Sequence, residues 1–358
     1  MSRGSPEQAR LRRALSGLEK SSLDALFLSS EHNISYLTGI RSRDSYLVVS
    51  KKKSIYFTDF RYFEEVKKAL HGFAVRKMDA SLLAVLLSCC RELGLKRIGF
   101  EEKVISYAQF LKFKEASGSG IEFVPAGSIL EDLRLVKSAE EVSKIKTAAR
   151  ITMKAFEFIR GIVSPGMKEI EVAAELERFI RYNGAFSCGF DIIVASGPNS
   201  AFPHHVTSQR RLRDNEPVLI DLGVDYSGYK SDLTRTLFLG KIKSSALNIY
   251  NIILEAQRRA ISKIRPGERA SEIDAASRNY ISEKGFGACF GHSTGHQVGL
   301  EVHEPPRLSS KDTTIIKAGM VFAVEPGIYL PGQFGIRVED MCLVTRKGVE
   351  VISGTLDK

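Results

Sequence analysis

Thiol chemistry, membrane insertion and nucleic-acid reading all lack their usual signatures in this chain. Its five cysteines, Cys89, Cys90, Cys188, Cys289 and Cys342, form no CxxC pair. That argues against a disulfide-stapled scaffold or a CxxC metal site and fits a reducing, cytoplasmic setting. Adjacent Cys89 and Cys90 lie in an apolar helical pattern and read as small core residues. No apolar run approaches the length of a membrane span. The stretch from Met1 to Ser30 is interrupted by Arg10, Arg12, Arg13, Glu19 and Lys20, so it has no unbroken apolar core of a signal peptide. A cytoplasmic protein with no membrane partner is expected. Motifs of RNA and DNA readers are missing as well. The net charge of +10 is spread over helices that also carry acids, and the densest basic run, Lys51-Lys52-Lys53, falls between two strand-like segments where a solvated hairpin turn is expected. No nucleic-acid partner follows; an anionic substrate or simple solubility accounts for the excess.

What is present is an ordinary globular composition, 43% hydrophobic and 26% charged over 358 residues, enough for one large core or two domains. Up to about Phe123 strand and helix patterns alternate. Asp24 to Leu28, Ser45 to Val49, Ser54 to Phe60 and Arg97 to Phe100 read as strands, and Arg61 to Leu70 and Ala80 to Leu93 as helices. Pro125-Ala126-Gly127 breaks the pattern, which places a domain boundary near residue 127. Ser138 with Glu141 then forms a capping box opening a long helix whose apolar face is Val142, Ile145, Ala149, Met153 and Phe156. From there the order is helix (139–160), helix (168–182), a strand (189–195) and two strands around Asp221 and Asp232. Helices at 245–263 and 270–284 and strands at 294–303, 320–325 and 336–345 repeat that order. The doubled block suggests internal pseudo-symmetry, with a site between the halves.

Two apolar runs each carry one acid: Val218-Leu219-Ile220-Asp221-Leu222-Gly223 and Val321-Phe322-Ala323-Val324-Glu325-Pro326-Gly327. A buried unpaired carboxylate costs several kcal/mol, so a cation is expected beside it; an acid capping the turn at a strand end is the alternative for either segment alone. Asp232, His296 and Glu339 stand in similar settings. A carboxylate and imidazole set suits Mn²⁺, Co²⁺, Fe²⁺ or Zn²⁺. The turn-rich Asp225-Tyr226-Ser227-Gly228-Tyr229 would fold Asp221 and Asp232 towards each other as a hairpin. Glycines around His296 permit close backbone approach. His303-Glu304-Pro305-Pro306 is not an HExxH zinc helix, because the prolines would break it and no second histidine follows at the required spacing. His303 reads as a hydrogen-bonding group or a polar strand-end residue, His204 and His205 as loop residues, and Arg337 as a cation that neutralises a neighbouring acid. Glu-x-x-His pairs of a carboxylate-bridged iron site are absent.

The segments Asp221-Leu222-Gly223, Ser231-Asp232-Leu233-Thr234-Arg235-Thr236, Gly295-His296 through His303-Glu304, Glu325-Pro326-Gly327 and Arg337-Val338-Glu339-Asp340 resemble those of the pita-bread metallopeptidases. These are aminopeptidase P, prolidase and methionine aminopeptidase, and the match spans residues 130–350. The first 127 residues resemble the N-terminal domain of the aminopeptidase P, prolidase and creatinase branch. The resemblance implies a two-domain α/β chain: residues 1–127 a creatinase/prolidase-like domain, residues 128–358 a pseudo-symmetric pita-bread domain. It also implies a dinuclear centre, most often Mn²⁺ with Co²⁺ or Zn²⁺ as alternatives. Asp221 would bind one ion, His296 and Glu325 the other, and Asp232 and Glu339 would bridge. Hydrolysis would proceed by a hydroxide shared between the ions, with Glu325 moving the proton. His204 and His303 would donate hydrogen bonds to the substrate carbonyl, and His292 and Arg337 would line the substrate pocket. The implied substrate is a peptide with proline second, the implied activity that of an Xaa-Pro aminopeptidase. An Xaa-Pro dipeptidase is the nearest rival and a non-catalytic peptide-binding relative a remoter one. A homodimer is also implied, its first domain partly covering a neighbouring site. Asp59-Phe60-Arg61-Tyr62 resembles a pattern of short bacterial aminopeptidases P or is simply a strand-to-helix junction. Gln297, where such proteins often have glycine, is expected to alter the pocket wall.

Overall fold

The structure, a computed structural model, describes residues 5–358. The chain divides between Arg134 and Leu135. In the first unit the elements run α1 (Pro6–Lys20), β1 (Ala25–Leu28), α2 (Glu31–Thr38), β2 (Ser45–Ser50), β3 (Ile55–Thr58) and α3 (Phe63–Ala69), followed by β4 (Ala74–Lys77), α4 (Leu82–Leu93), β5 (Arg97–Phe100), α5 (Tyr107–Ser117), β6 (Glu122–Pro125) and α6 (Ile129–Arg134). The strands form one six-stranded sheet in the order β4-β3-β2-β1-β5-β6. It is antiparallel across β1–β2 and β2–β3 and parallel elsewhere. Central β1 is buried along its whole length, as an apolar run covered on both faces must be. Ser5, Ser30, Ser81 and Ser106 each accept a backbone N–H of the helix they precede, satisfying one orphan donor.

Cys89 and Cys90 lie in the core on α4, as small apolar residues should. The Lys51-Lys52-Lys53 run sits in the turn between the antiparallel β2 and β3. Asp59 to Tyr62 forms the junction between β3 and α3, Asp59 Oδ1 accepting the Arg61 backbone N–H at 2.8 Å. The division comes later than the expected break at 127, because Gly127, in a left-handed conformation (φ 64°), is only the turn into α6. Helix α6 belongs to the first unit. Leu130 is buried, the Leu133 carbonyl accepts from the Tyr36 hydroxyl at 3.0 Å, and Arg134 donates to Asn33 at 2.8 Å.

The second unit begins with α7 (Ala139–Ile162), α8 (Glu169–Tyr182), β7 (Ser187–Cys188), β8 (Ile193–Ser196), β9 (Glu216–Leu222), β10 (Val224–Tyr226), β11 (Tyr229–Lys230) and β12 (Leu233–Leu239). It continues with α9 (Ser244–Lys263), α10 (Ala270–Glu283), β13 (Gly295–Gln297), β14 (Glu304–Leu308), β15 (Val321–Val324), β16 (Gly327–Leu330), β17 (Phe334–Arg337), β18 (Asp340–Thr345) and β19 (Gly348–Val351). The capping box of α7 is present in both directions. Ile145, Ala149 and Phe156 are buried along it, while Val142 and Met153 at the edges of the stripe are half-buried. The helix pair α9–α10 buries its apolar stripes in two clusters. One joins Ile249 and Ile253 to Ile328 and Ile336, and the other joins Ala260 and Ile273 to Phe322 and Val324. Each of the isoleucine, valine and phenylalanine side chains among them contributes about 1.5–3 kcal/mol on burial, so the strands that carry the acids are held by core packing.

Two antiparallel pairs then do the positioning. In β9–β12, Asp221 lies opposite Thr234 and Leu222 opposite Leu233, with Asp232 directly before β12. In β15–β18, Val324 lies opposite Asp340, with Glu325 directly after β15 and Glu339 directly before β18. Each pair thus delivers two acids at one end, the doubled arrangement expected from the chain order. The link from β9 to β12 includes a two-residue hairpin turn, Ser227-Gly228, with both φ angles positive at 52° and 86°; this turn matches the twist of its strands. Gly295, before His296, is demanded by strand pairing: a Cβ there would meet the Ala323 carbonyl oxygen at 2.0 Å.

Candidate active site

Asp221, Asp232, His296 and Glu339 are all buried, at 8%, 5%, 3% and 1% exposure, and Glu325 is half-buried beside them. Ligand atoms of Asp221, Asp232 and Glu339 lie within 4.8 Å of one another, and so do those of Asp232, His296 and His303. Asp232 is common to both groups. His296 Nε2 is 3.5 Å from both Asp232 Oδ2 and Glu325 Oε1. Its Nδ1 faces the Gln297 carbonyl at 3.1 Å; that bond takes the ring's N–H and leaves the Nε2 lone pair for a cation.

The donors fit divalent ions, because two of their oxygens are left unsatisfied. Asp221 Oδ2 accepts from Arg337 Nη2 at 2.6 Å and Glu339 Oε2 from Thr234 Oγ1 at 2.7 Å. The other oxygen of each, Asp221 Oδ1 and Glu339 Oε1, is buried with no hydrogen-bond partner among the described residues. Such atoms are rare in native proteins unless an ion or water satisfies them. Electrostatics agree. Burial, then the neighbouring carboxylates Glu339, Asp221 and Glu325, pushes Asp232 well above the usual carboxylate range. Burial, then Asp221 and Glu325, does the same to Glu339. Burial carries Glu325 up to about 7 against the pull of Arg337. Crowded acids that resist ionising together are what a pair of cations would relieve. Burial, then the neighbouring His303, lowers His296 to about 3, keeping its ring neutral and able to coordinate.

Around this centre opens a cavity of about 580 Å³, wholly within the second unit, whose lining includes His204, His292, His303, Arg307 and Arg337. Arg337 is 2% exposed and heavily committed. It donates from Nη2 to Asp221, from Nε to Thr234 Oγ1 at 3.0 Å, and from Nη1 to the Tyr329 hydroxyl at 2.8 Å and the Pro203 carbonyl at 3.2 Å. It therefore orients an acid and a loop more than it offers donors to a ligand. Tyr329 in turn contacts His292 Nε2 at 2.9 Å. Burial, then Arg337, lowers His292 to about 4, so His292 lines the wall as a neutral ring. His303 is exposed and sets its ring edge-on against His296, with centroids 4.3 Å apart.

Two expectations change. Gln297 does not alter the pocket wall. It is fully buried and turned away from the cavity, accepting from Lys137 Nζ at 2.6 Å and donating to the Pro305 carbonyl at 2.8 Å, because neighbouring strand residues point to opposite faces. His205, read as a loop bystander, contacts the buried Glu169 at 2.9 Å. Arg307, Tyr329, Thr234 and Glu169 were not legible as site residues. Arg307 had a faint signal in its place beyond the Pro-Pro pair. Thr234 and Tyr329 sat unremarked within matched or adjoining segments, and nothing near Glu169 pointed to the site.

Residues 143–346 match the model of metallopeptidase family M24, and residues 10–136 match the creatinase/prolidase N-terminal domain. The chain is a metallopeptidase of family M24, of the aminopeptidase P and prolidase branch, with a creatinase-type first domain and a pita-bread catalytic domain. A solved Xaa-Pro dipeptidase from Bacillus anthracis is 40% identical, with a TM-score of 0.94, covering 98% of this chain and 99% of that one. The Xaa-Pro dipeptidase of Pyrococcus furiosus is 36% identical over 97% of this chain and 98% of its own length. A solved X-Pro aminopeptidase from Thermotoga maritima is 34% identical, with a TM-score of 0.86, covering 94% of this chain and 97% of that one.

Proposed function

We propose that this metallopeptidase is an Xaa-Pro dipeptidase working with two divalent ions, in place of the Xaa-Pro aminopeptidase expected first. The observation that carries the reading is Arg307. In β14 it lies directly opposite His296 of β13, so the two side chains share a face of the sheet. It is exposed, lines the cavity, and its guanidinium makes no hydrogen bond or ion pair among the described residues. In a dipeptide a carboxylate follows the proline ring directly, whereas a longer peptide has a neutral amide there. A free guanidinium beside the centre favours the carboxylate. The relatives named Xaa-Pro dipeptidase from Bacillus anthracis and Pyrococcus furiosus support the same reading. The Thermotoga maritima X-Pro aminopeptidase makes the longer peptide the necessary control.

Asp221, Asp232, His296, Glu325 and Glu339 would hold the ions; this oxygen-rich set suits Mn²⁺, with Co²⁺ or Zn²⁺ as alternatives. Bound there, the ions supply Lewis-acid activation of water and of the scissile carbonyl at neutral pH. Glu325 takes the proton of the attacking water and returns it to the proline nitrogen as the bond breaks. His204 and His303 donate to the carbonyl oxygen, where negative charge develops; both are exposed, and neither side chain makes a hydrogen bond among the described residues. His292 shapes the wall, and the Tyr329 hydroxyl behind it holds its ring at Nε2.

The test is metal-depleted protein titrated with Mn²⁺, Co²⁺ and Zn²⁺ while Ala-Pro and Ala-Pro-Ala are assayed side by side. Ala-Pro hydrolysis should appear only with metal, and Ala-Pro-Ala should be the poorer substrate. Faster turnover of the tripeptide would return the reading to an aminopeptidase, and activity in the metal-free protein would remove the dinuclear mechanism. In the same assay Arg307→Ala should lower kcat/KM for Ala-Pro roughly 30-fold, mostly through KM, the scale of losing one charge-assisted contact. An equal loss on both peptides would show that Arg307 does not read the carboxylate.

A further inference from the structure

His204 sits on a connection, from Ser196 at the end of β8 to Glu216 at the start of β9, that contains a 3₁₀ turn, Gly197–Ala201, and no strand. A donor meant to meet a developing charge must be held to within fractions of an ångström, and no hydrogen bond to the His204 side chain among the described residues holds it. Its neighbours do. The His205 amide closes a turn on the Phe202 carbonyl at 3.1 Å, with His204 inside it. One side of that turn is fixed by Arg337, which donates to the Pro203 carbonyl at 3.2 Å. The other side is fixed by the His205 ring, whose Nε2 lies 2.9 Å from Glu169 Oε2. The side chains of Phe202 and Val206 do not pack the turn down, standing 62% and 84% exposed.

Glu169, the first residue of α8, is fully buried and gathers both limbs of the connection. Its Oε1 accepts from Ser196 N at 2.8 Å, Ser196 Oγ at 2.7 Å and Asn199 Nδ2 at 3.0 Å. Its Oε2 accepts from Ser208 N at 3.1 Å and Ser208 Oγ at 2.6 Å, besides its contact with His205. The adjacent backbone adds two clasps, Glu169 N to the Arg210 carbonyl at 3.0 Å and Ile170 N to the Ser208 carbonyl at 3.1 Å. A buried carboxylate with this many donors is both satisfied and rigid. We propose that Glu169 and His205 are the positioning pair for His204, the carboxylate of the first fixing the ring of the second so that the turn presents His204 to the substrate carbonyl. The inference rests on the carbonyl-binding role given to His204 above.

The test is a double-mutant cycle in full-length, metal-loaded protein, assayed on whichever of Ala-Pro and Ala-Pro-Ala is turned over faster. A reversed length preference then removes only the dipeptidase reading. His205→Leu, which keeps bulk and removes the donor, should lower kcat about 10- to 100-fold, with KM and metal content per chain close to wild type. His205→Gln, which restores a donor to Glu169, should recover most of the loss. His204→Ala with His205→Leu should be no slower than His204→Ala alone, because the second change acts through a side chain already gone. Losses that simply multiply, an undiminished rate in His205→Leu, a loss at His205 with none at His204, or a parallel fall in metal content would each overturn the pairing.

Discussion

Asp232→Asn should reduce hydrolysis by about three orders of magnitude or more and drop the metal content below two ions per chain. Removing a group that only supports a metal ligand costs about 10- to 100-fold, and Asp232 stands in both clusters of candidate ligand atoms. An amide keeps the shape of the side chain and loses its charge and one acceptor. The sharper part of the expectation is a reversal of sign in stability. Without metal, Asp232 is crowded by Glu339, Asp221 and Glu325, and burial and those charges hold its carboxyl well above the usual range. A carboxyl raised in the folded state contributes stability below its ordinary value of 3.8 and loses it as pH rises through the raised one. The melting temperature of metal-depleted wild type should therefore fall as pH rises from about 4 towards neutrality, the acid range set by the ordinary carboxyl value, and Asp232→Asn should flatten that fall and melt higher. With metal present the order should invert, because an ion at about a hundredfold excess over its Kd adds roughly 2.7 kcal/mol to the protein that binds it. Thermal melts with and without metal, with metal analysis of the same samples, decide it. A variant that keeps two ions and its activity would dismiss Asp232 as the shared ligand.

His303→Ala should lower kcat on Ala-Pro about 100- to 1000-fold, the range for removing one donor to a developing oxyanion, with metal content unchanged. The expectation needs its own control, since His303 lies within ligand reach of Asp232 and His296. Two features favour the hydrogen-bonding role. His303 is exposed, whereas Asp232 and His296 are buried. It also meets His296 by its ring edge, at an interplanar angle of 68°, and the Nε2 of His296 already has Asp232 and Glu325 as its nearest acids. Parallel losses of kcat and metal would assign His303 to the metal and leave His204 as the carbonyl donor.

The clustered acids were legible because they break a rule of composition: a carboxylate inside an apolar strand needs a counter-charge, and the flanking residues declare the strand. Helices α7 to α10 were legible from long periodic stripes and, for α7, its capping box. Strands β4 and β6 were not, for they edge the first sheet and are only partly buried, so neither alternates clearly. Helix α1 buries only Arg10, Ala14 and Leu18 and reads as a charged stretch. Helix α2, at eight residues, is too short for its period to register. Arg337 could be named beside the acids, but its partners come from β9, β12, β16 and the loop before β9, and no linear spacing encodes such a meeting.

By itself the sequence determined the long helices, the buried strands, the doubling in the second unit, the residue types of the buried acidic cluster and the family, because these follow from local periodicity and from residues set side by side along the chain. Only the tertiary structure decided which oxygens of Asp221 and Glu339 are left for a cation, that Gln297 faces Lys137 and not the cavity, that Arg307 lies opposite His296 with no partner for its guanidinium among the described residues, and that Glu169 gathers the loop of His204. Each depends on strand register or on hydrogen bonds between residues far apart in the chain, and a single residue of slip in register would turn strand side chains such as Asp221, Gln297 and Arg307 to the opposite face.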